Sequence, residues 1–390
     1  MQRHSLPGAG SRRVGRRDLL RSGGVLAAPW SASLFADAAR GADPRLEEAI
    51  ARLEYFTPLE RATFLDKGKA GAATFSSGKL REVGLVPDTW SLDAVPDPAS
   101  NSVLERPLAK SLGNALDWNG LMELARGHAV RFPHVCVCTN GADPFHMTLW
   151  EGVPLREVIR LVNPKANVRR VYYQSYHPED KPPFQASLPL GQVLETPPGE
   201  MPVILAYKMN GKLIPAAYGG PVRVMVPGAY GSKQIKWVRR LVFTNDYKSN
   251  DSDAELNNDT ESAMKTRARF IAPPEELPAR KPSAITGMAQ VGVSGLAKVQ
   301  YCVYPRREPW PAEDPYRTRA DWKDAALLPP PPALRELLSG GNAAGVKDAP
   351  FQWPMRYTIA HWAALLPGLD PGVYGLCCRT IDGNGIAQPL

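Results

Sequence analysis

The sequence predicts an α+β protein whose C-terminal part is a small all-β sandwich, and three observations carry that prediction. Short runs of β-branched and aromatic residues recur along the chain with Gly and Pro between them, the pattern of strands and turns. Two segments with helical spacing, 117–129 and 154–162, interrupt those runs. Beyond a Pro-rich stretch at 273–282 the chain holds only short strand-like runs, Gly/Pro turns and four Trp, the texture of a β-sandwich. Proline, at 39 of 390 residues, has roughly twice its usual share, which favours turns over long helices. With 44% apolar and 22% charged residues, the chain can bury cores and is not a disordered tail. No Gly period, heptad run or apolar stretch of about 18 residues occurs, which excludes collagen, coiled coil and a polytopic membrane protein.

The N-terminus reads as an export address. Arg12-Arg13 and Arg16-Arg17-Asp18-Leu19-Leu20-Arg21 are followed by a weakly apolar run from Ser22 to Phe35 and the small-x-small site Ala36-Asp37-Ala38. The arginine pair ahead of a modest Gly/Ala-rich run resembles a twin-arginine signal, which implies export to the periplasm. Cleavage after Ala38 would remove six Arg and two Asp, so the formal charge of +8 falls to +4. No basic stripe interleaved with aromatics survives that removal, and a nucleic-acid partner is not expected. The expected organisation is a signal at 1–38, a first domain at 39–280 and a second at 281–390.

Helical spacing from Leu46 toward Phe64 leads into extended, Pro-punctuated chain. Asp117 can cap a helix whose Leu121, Leu124 and Ala125 share a face. His134–Cys138 is a short strand, and Pro154 opens the next helix. Strands follow at Val168–Tyr173, Val203–Met209, Val222–Val226 and Lys236–Thr244. The strongly polar segment Asn245–Glu261 is expected to be a long surface loop.

Of the cysteines, Cys136 and Cys138 are spaced C-x-C, so a strand would put both on one face. No C-x-x-C-H occurs, so this chain holds no covalently attached haem. Cys302 could bridge to Cys377 or Cys378, and the sequence leaves that choice open. The scattered histidines make no H-E-x-x-H, and neither a G-x-S-x-G elbow nor a G-x-G-x-x-G after a strand appears. What remains is a soft thiolate at a strand end, Cys138, before the polar turn Thr139-Asn140-Gly141, suited to a transition metal. A second segment, Pro221 to Trp237, reads as strand, Gly-rich turn and strand carrying Arg223, Lys233 and Lys236, suited to an anionic phosphate.

These segments carry a resemblance. GGPVRVMVPGAYGSKQIKWVRRL resembles the pterin-binding signature of the sulfite oxidase family of molybdenum enzymes, and ILAYKMNGKLIP resembles that family's tyrosine segment. VCVCTNGADPFHMTLWEGVPLREVI is similar to the region around the family's molybdenum-ligating cysteine. ITGMAQVGVSGLAKVQYCVYP with YGLCCRTIDGNGIAQP resembles its C-terminal immunoglobulin-like domain. The likeness runs from about Leu53 to the C-terminus and implies a molybdopterin-binding domain followed by an immunoglobulin-like sandwich that forms a homodimer. It implies a molybdenum–molybdopterin cofactor with Cys138 as metal ligand and Cys136 as the fallback. It further implies Tyr207 as a catalytic hydrogen-bond donor, Arg223 and Lys236 on the pterin phosphate, and Asn140, Gln234 and Ile235 as added cofactor contacts. The implied reaction is oxygen-atom transfer on a small oxyanion such as sulfite, with electrons passed to a separate cytochrome. A reductase of S-oxides or N-oxides, or a binding module with an eroded pocket, are the alternatives.

The sequence departs from the family in three places. Tyr218 stands where a His usually opens the H-G-x-P-V-R motif. Thr63–Gly68 lacks the arginine of the sulfite-oxidising members, and Thr139-Asn140-Gly141 replaces Gly-Asn-Arg. Fewer cationic forks weaken binding of a dianion; Lys67, Arg169 and Arg170 are the candidates for replacing them.

Overall fold

The computed structural model describes residues 43–57, 74–138, 145–179, 181–256, 258–306, 313–332, 334, 336 and 353–389. The expected signal at 1–38, Lys67 and Asn140 lie outside the described residues.

Two short helices, α1 (Pro44–Ala51) and α2 (Ser77–Glu82), are capped by side-chain oxygens of Asp43 and Ser76, which accept from Arg45 N and Lys79 N. α3 (Trp118–His128) begins as its sequence predicts, with Asp117 accepting from Gly120 N at 2.8 Å. α4 (Leu155–Val162) buries Leu155, Val158, Ile159 and Val162, a single i, i+3, i+4, i+7 stripe. Asn163, at φ 45°, ends it in the left-handed conformation. A fifth helix, α5 (Leu190–Leu194), is short.

The first sheet has the order β2 (Leu116–Asp117), β1 (Ser91–Pro96), β10 (Val238–Thr244), β5 (Arg170–Ser175), β6 (Gln185–Pro189). Only β1 and β10 run parallel within it. The second sheet is β3 (Val130–Val137), β4 (Phe145–Pro154), β7 (Ile204–Met209) and β8 (Lys212–Leu213), with β9 (Arg223–Met225) also paired to β7. Side chains of one strand face alternately to either side of the sheet. Leu205 and Tyr207 therefore join the core that packs α4 against the first sheet, with Leu188, Val224 and Leu241. Ile204 and Ala206 point the other way, into a cluster with Phe132, Cys136, Trp150 and Met225. Cys136 is consequently on the opposite face of the sheet from Tyr207.

The C-terminal sheet is six-stranded and antiparallel, in the order β11 (Arg267–Phe270), β12 (Ser283–Gln290), β15 (Ile359–Leu366), β14 (Lys323–Leu327), β13 (Lys298–Pro305), β16 (Tyr374–Ile381). Gln388 Oε1 accepts from Ala268 N at 2.7 Å, and Thr380 Oγ1 donates to Thr266 O at 3.2 Å, so the first strand is tied back to the last. The sheet curls around Ile285, Ala289, Val299, Trp362 and Cys378, a sandwich-like β unit with its own core. Gly287 has no room for a side chain, because a Cβ there would come 2.1 Å from the Trp362 ring.

Three expectations are corrected. β11 already belongs to the C-terminal sheet, so the Pro-rich stretch connects two strands of that sheet rather than two domains. The polar segment 245–261 is not simply a solvated loop: Asp251 is 1% exposed and accepts from Lys233 Nζ at 2.6 Å and Ser187 Oγ at 2.6 Å. The strand expected from Lys236 begins at Val238, because Trp237 sits at φ 51° and turns the chain.

Candidate functional site

β3 carries Phe132, His134 and Cys136 on one face and ends one residue before Cys138. Antiparallel register places Phe132, His134 and Cys136 opposite Trp150, Thr148 and His146. Across β7, Ala206 pairs with Arg223 and Ile204 with Met225, which brings β9 into the same face. Cys138 follows one residue past the end of the strand, close enough for its charge to act on Cys136. Cys136 is buried and Cys138 exposed. Burial pushes the Cys136 thiol up, while the nearby Arg223 and Lys236 charges pull it down. The structure thus brings Cys136, Arg223 and Lys236 into one electrostatic neighbourhood, with Cys138 at its open end.

Arg223 is 1% exposed, and its guanidinium lies 5.1 Å from the Trp150 ring centroid. Its Nη1 donates to Tyr218 O at 3.0 Å. Desolvation lowers its pKa to about 10, which still leaves it charged at neutral pH. The aliphatic stem of Lys236 rests on Gly219, whose φ is +92° and where a Cβ would come 2.6 Å from Lys236 Cγ. That glycine is therefore what lets the lysine lie down at this turn; its Nζ sits 5.4 Å from the Trp237 ring centroid. Ile235 closes the hairpin, its carbonyl accepting from Val224 N at 2.9 Å. Gln234 is buried; its N–H donates to Gly231 O at 3.0 Å and its Nε2 to Ala229 O at 3.2 Å. Its Oε1 has no hydrogen-bond partner among the described residues.

Other candidates do not join this group. Lys233 is enclosed by Asp251 at 2.6 Å, Glu261 at 2.9 Å and the Ser187 carbonyl at 2.8 Å. It is neutralised by its own chain and is not presented to an external phosphate. Arg169 Nη1 donates to Ala166 O at 2.9 Å, and Arg170 Nη1 to Ser187 Oγ at 2.9 Å, both at the first sheet. Tyr207 is the extra residue of a β-bulge, since Glu151 pairs with Lys208 and Gly152 with Ala206. Its hydroxyl donates to Glu151 Oε1 at 3.0 Å. Burial, then the Glu151 charge, raises its pKa. Although burial opposes ionisation of Glu151, hydrogen bonds from Lys208, Arg131 and Tyr207 hold its carboxyl below the usual range.

One neighbour, His134, was not singled out by sequence reasoning, and a second, Tyr218, stood out there only as a departure from the family motif. His134 is 1% exposed, and burial lowers its pKa to about 3, so it is a neutral imidazole whose Nε2 accepts from Gly228 N at 3.2 Å. Its spacing from Cys136 was a usable signal, because the same period of two that pairs the cysteines includes it. Tyr218 packs beside the Cys136 cluster and offers its carbonyl to Arg223; no local pattern marks that contact. Chemically, the arrangement offers a soft thiolate donor at the rim of a cluster holding two cations, one of them fully desolvated. It is suited to a metal-bearing group with an anionic arm.

Comparison with known proteins gives the following. The family described as oxidoreductase molybdopterin binding domain matches residues 114–251, which contain every member of the cluster above. Over 113 residues the chain is 30% identical to the NADPH nitrate reductase of Beauveria bassiana, covering 28% of this chain and 12% of that one. It is 32% identical over 120 residues to the mitochondrial sulfite oxidase of Drosophila melanogaster, covering 30% of this chain and 20% of that one. The chain thus matches less than a quarter of the length of either relative. Among solved structures, the sulfane dehydrogenase SoxCD of Paracoccus pantotrophus superposes with a TM-score of 0.59 at 18% identity. That similarity covers 87% of this chain and 76% of the other, and it concerns the fold.

Proposed function

We propose that this chain, whose residues 114–251 match the oxidoreductase molybdopterin binding domain family, is an exported molybdenum-cofactor oxidoreductase of the sulfite oxidase family. Its reaction is oxygen-atom transfer on a small sulfite-like oxyanion. The observation that carries this reading is the grouping of Cys136 with Arg223 and Lys236, Cys138 being at the end of the same strand.

The residues present fit the cofactor. Cys138 is the accessible thiol, whereas burial disfavours the thiolate at Cys136, so Cys138 is the metal ligand. Arg223 and Lys236 would hold the phosphate arm, and Gln234, whose buried Oε1 has no partner among the described residues, would add a cofactor contact. Bound there, the cofactor supplies the two-electron chemistry, and the protein supplies orientation and field. The Arg223 guanidinium is fixed by Trp150 and the Tyr218 carbonyl before any ligand arrives. Its contribution is therefore pre-organised, and little is lost to ordering when an anion binds. Export follows the N-terminal address, and electrons leave to a separate cytochrome-type carrier.

The test is molybdenum and pterin content of protein purified from a host that makes and loads the cofactor. About one molybdenum per chain is expected, with Cys138→Ser losing it and Cys136→Ser keeping it. Metal-free wild-type protein from such a host would overturn the enzyme reading. Sulfite with ferricyanide, against reduced viologen with S-oxides, then fixes the direction. The proposal expects turnover in the first assay; activity confined to the second would make the protein a reductase.

A further inference from the structure

The C-terminal sheet places two thiols directly opposite each other. Cys302 of β13 and Cys377 of β16 are partners in the antiparallel register. Directly opposed residues in such a pair have Cα atoms roughly 4.5–5.5 Å apart, inside the 4.4–6.8 Å that a disulfide spans. The adjacent Cys378 is excluded from the pairing. It opposes Tyr301 and belongs to the core with Val299 and Trp362, so it faces the other side of the sheet. The choice between Cys377 and Cys378 that the sequence leaves open is thus decided by strand parity.

The surroundings of this pair are reactive rather than inert. Arg317 Nη1 donates to Cys377 Sγ and also, at 2.9 Å, to the Tyr304 hydroxyl. The Arg317 guanidinium lies 5.2 Å from the Tyr304 ring centroid, which fixes it over the sulfur. Arg379, whose guanidinium lies 4.0 Å from the Trp322 ring centroid, adds a second positive charge acting on Cys302. Cys377 is partly exposed while Cys302 is 1% exposed. A hydrogen bond from the Cys302 thiol, followed by Arg317 and Tyr304, draws the Cys377 thiol down to about 6, and the same hydrogen bond with burial raises Cys302. The Arg317 hydrogen bond and partial exposure single out Cys377 as the sulfur to ionise, while burial favours the thiol at Cys302, the division of labour that disulfide formation needs.

We propose that Cys302 and Cys377 are a peroxide-reactive dithiol, with Cys377 the attacking sulfur and Cys302 the resolving one, which closes to a cross-strand disulfide. The Cys377 thiolate attacks one oxygen of hydrogen peroxide, the O–O bond breaks, and a sulfenic acid forms as hydroxide leaves. Cys302 sulfur then attacks Cys377 sulfur, the S–O bond breaks, and an S–S bond forms. The Cys302 proton and the departing hydroxide leave as water. The two thiols give up two electrons, and the peroxide takes them to become two waters. The reaction joins β13 to β16 where they already pair and is independent of the chemistry proposed at Cys138.

The test uses full-length protein, reduced with dithiothreitol, desalted and exposed to limiting hydrogen peroxide. Peptide mapping is expected to show a Cys302–Cys377 link that dithiothreitol reverses. Oxidation confined to Cys136, Cys138 or Cys378, or a sulfinic acid at Cys377 without the link, would overturn the proposal. In Cys302→Ser the Cys377 sulfenic acid should persist and be trapped by a cyclic dione. Failure to trap it in a variant with wild-type circular dichroism would also count against it. Loss of the Arg317 charge in Arg317→Gln is expected to slow Cys377 alkylation at pH 7 by roughly threefold, since a lost thiolate fraction is partly offset by higher nucleophilicity. Arg317→Lys should restore most of that rate, and equal rates in all three proteins would remove Arg317 from the mechanism.

Discussion

The Tyr207 hydroxyl and the Glu151 carboxylate are joined by a 3.0 Å hydrogen bond on the side of the second sheet turned away from Cys136. Lys208 Nζ reaches the same Glu151 oxygen at 2.7 Å, and Arg131 Nη2 the other at 2.7 Å, so the tyrosine completes a partly buried charge cluster. Tyr207→Phe is expected to cost about 1.5–3 kcal/mol of stability, the value of a hydrogen bond to a charged group. The same variant should leave the molybdenum content unchanged, as urea unfolding and elemental analysis would show. A tenfold or larger fall in turnover with wild-type stability would instead place Tyr207 at the substrate.

In the proposed cofactor site, Arg223 supplies charge for the phosphate arm. Arg223→Leu removes charge-assisted hydrogen bonds worth roughly 1.5–3 kcal/mol, so cofactor retention should fall by about 10–100-fold. The cofactor-free variant should unfold close to wild type, because a buried cation is exchanged for an apolar side chain. Pterin released per chain after gel filtration measures the first effect, and thermal unfolding of the apoprotein measures the second.

Lys233 and Asp251 are 3% and 1% exposed at their side chains and lie 2.6 Å apart. Asp251→Ala leaves the buried Lys233 with the half-exposed Glu261 as its remaining carboxylate, so a loss of up to about 3 kcal/mol is expected. The double variant Lys233→Met/Asp251→Leu should recover much of that loss in urea unfolding. If the double variant is as unstable as the single one, the segment around Asp251 is held by packing instead.

His361, 1% exposed and edge-on to Tyr55 with centroids 4.6 Å apart, has its pKa lowered by burial to about 4. The folded protein keeps this imidazole neutral while the unfolded chain protonates it near 6.5. Between those values the unfolded state binds more protons, so stability falls as pH drops from about 6.5 toward 4. At pH 5 the loss is about 2 kcal/mol relative to neutral pH. His361→Gln should flatten the stability–pH curve in that window; an unchanged slope would assign acid sensitivity to other groups.

Much of the site was legible because it is local. The C-x-C spacing sets Cys136 on the strand and Cys138 just past its end, and the hairpin carrying Arg223 and Lys236 is announced by Val, Pro and Gly in sequence. The helix at Trp118–His128 follows from its Asp cap and apolar spacing. What escaped depends on distant partners or a local irregularity. Lys233 looks like a free cation until Asp251 and Ser187 fold over it. Tyr207 alternates with Ala206 to the face away from Cys136, and which face of β7 meets Cys136 is set by pairing across β3 and β4 that no residue pattern marks. Arg267–Phe270, with two arginines in four residues, has too little apolar alternation to read as a strand; its partner β12 makes it one.

That strand bears on how the protein could be taken apart or inherited in pieces. Because β11 precedes the proline stretch and pairs with β12, a protease cut or recombination joint within 273–282 falls inside a hairpin connection and not between modules. The N-terminal fragment would carry off an edge strand with two cationic side chains. The C-terminal fragment would be left with the flank of β12 unpaired, an edge open to association with other chains. An exchangeable C-terminal module must therefore be joined upstream of Arg267, where the strand enters intact.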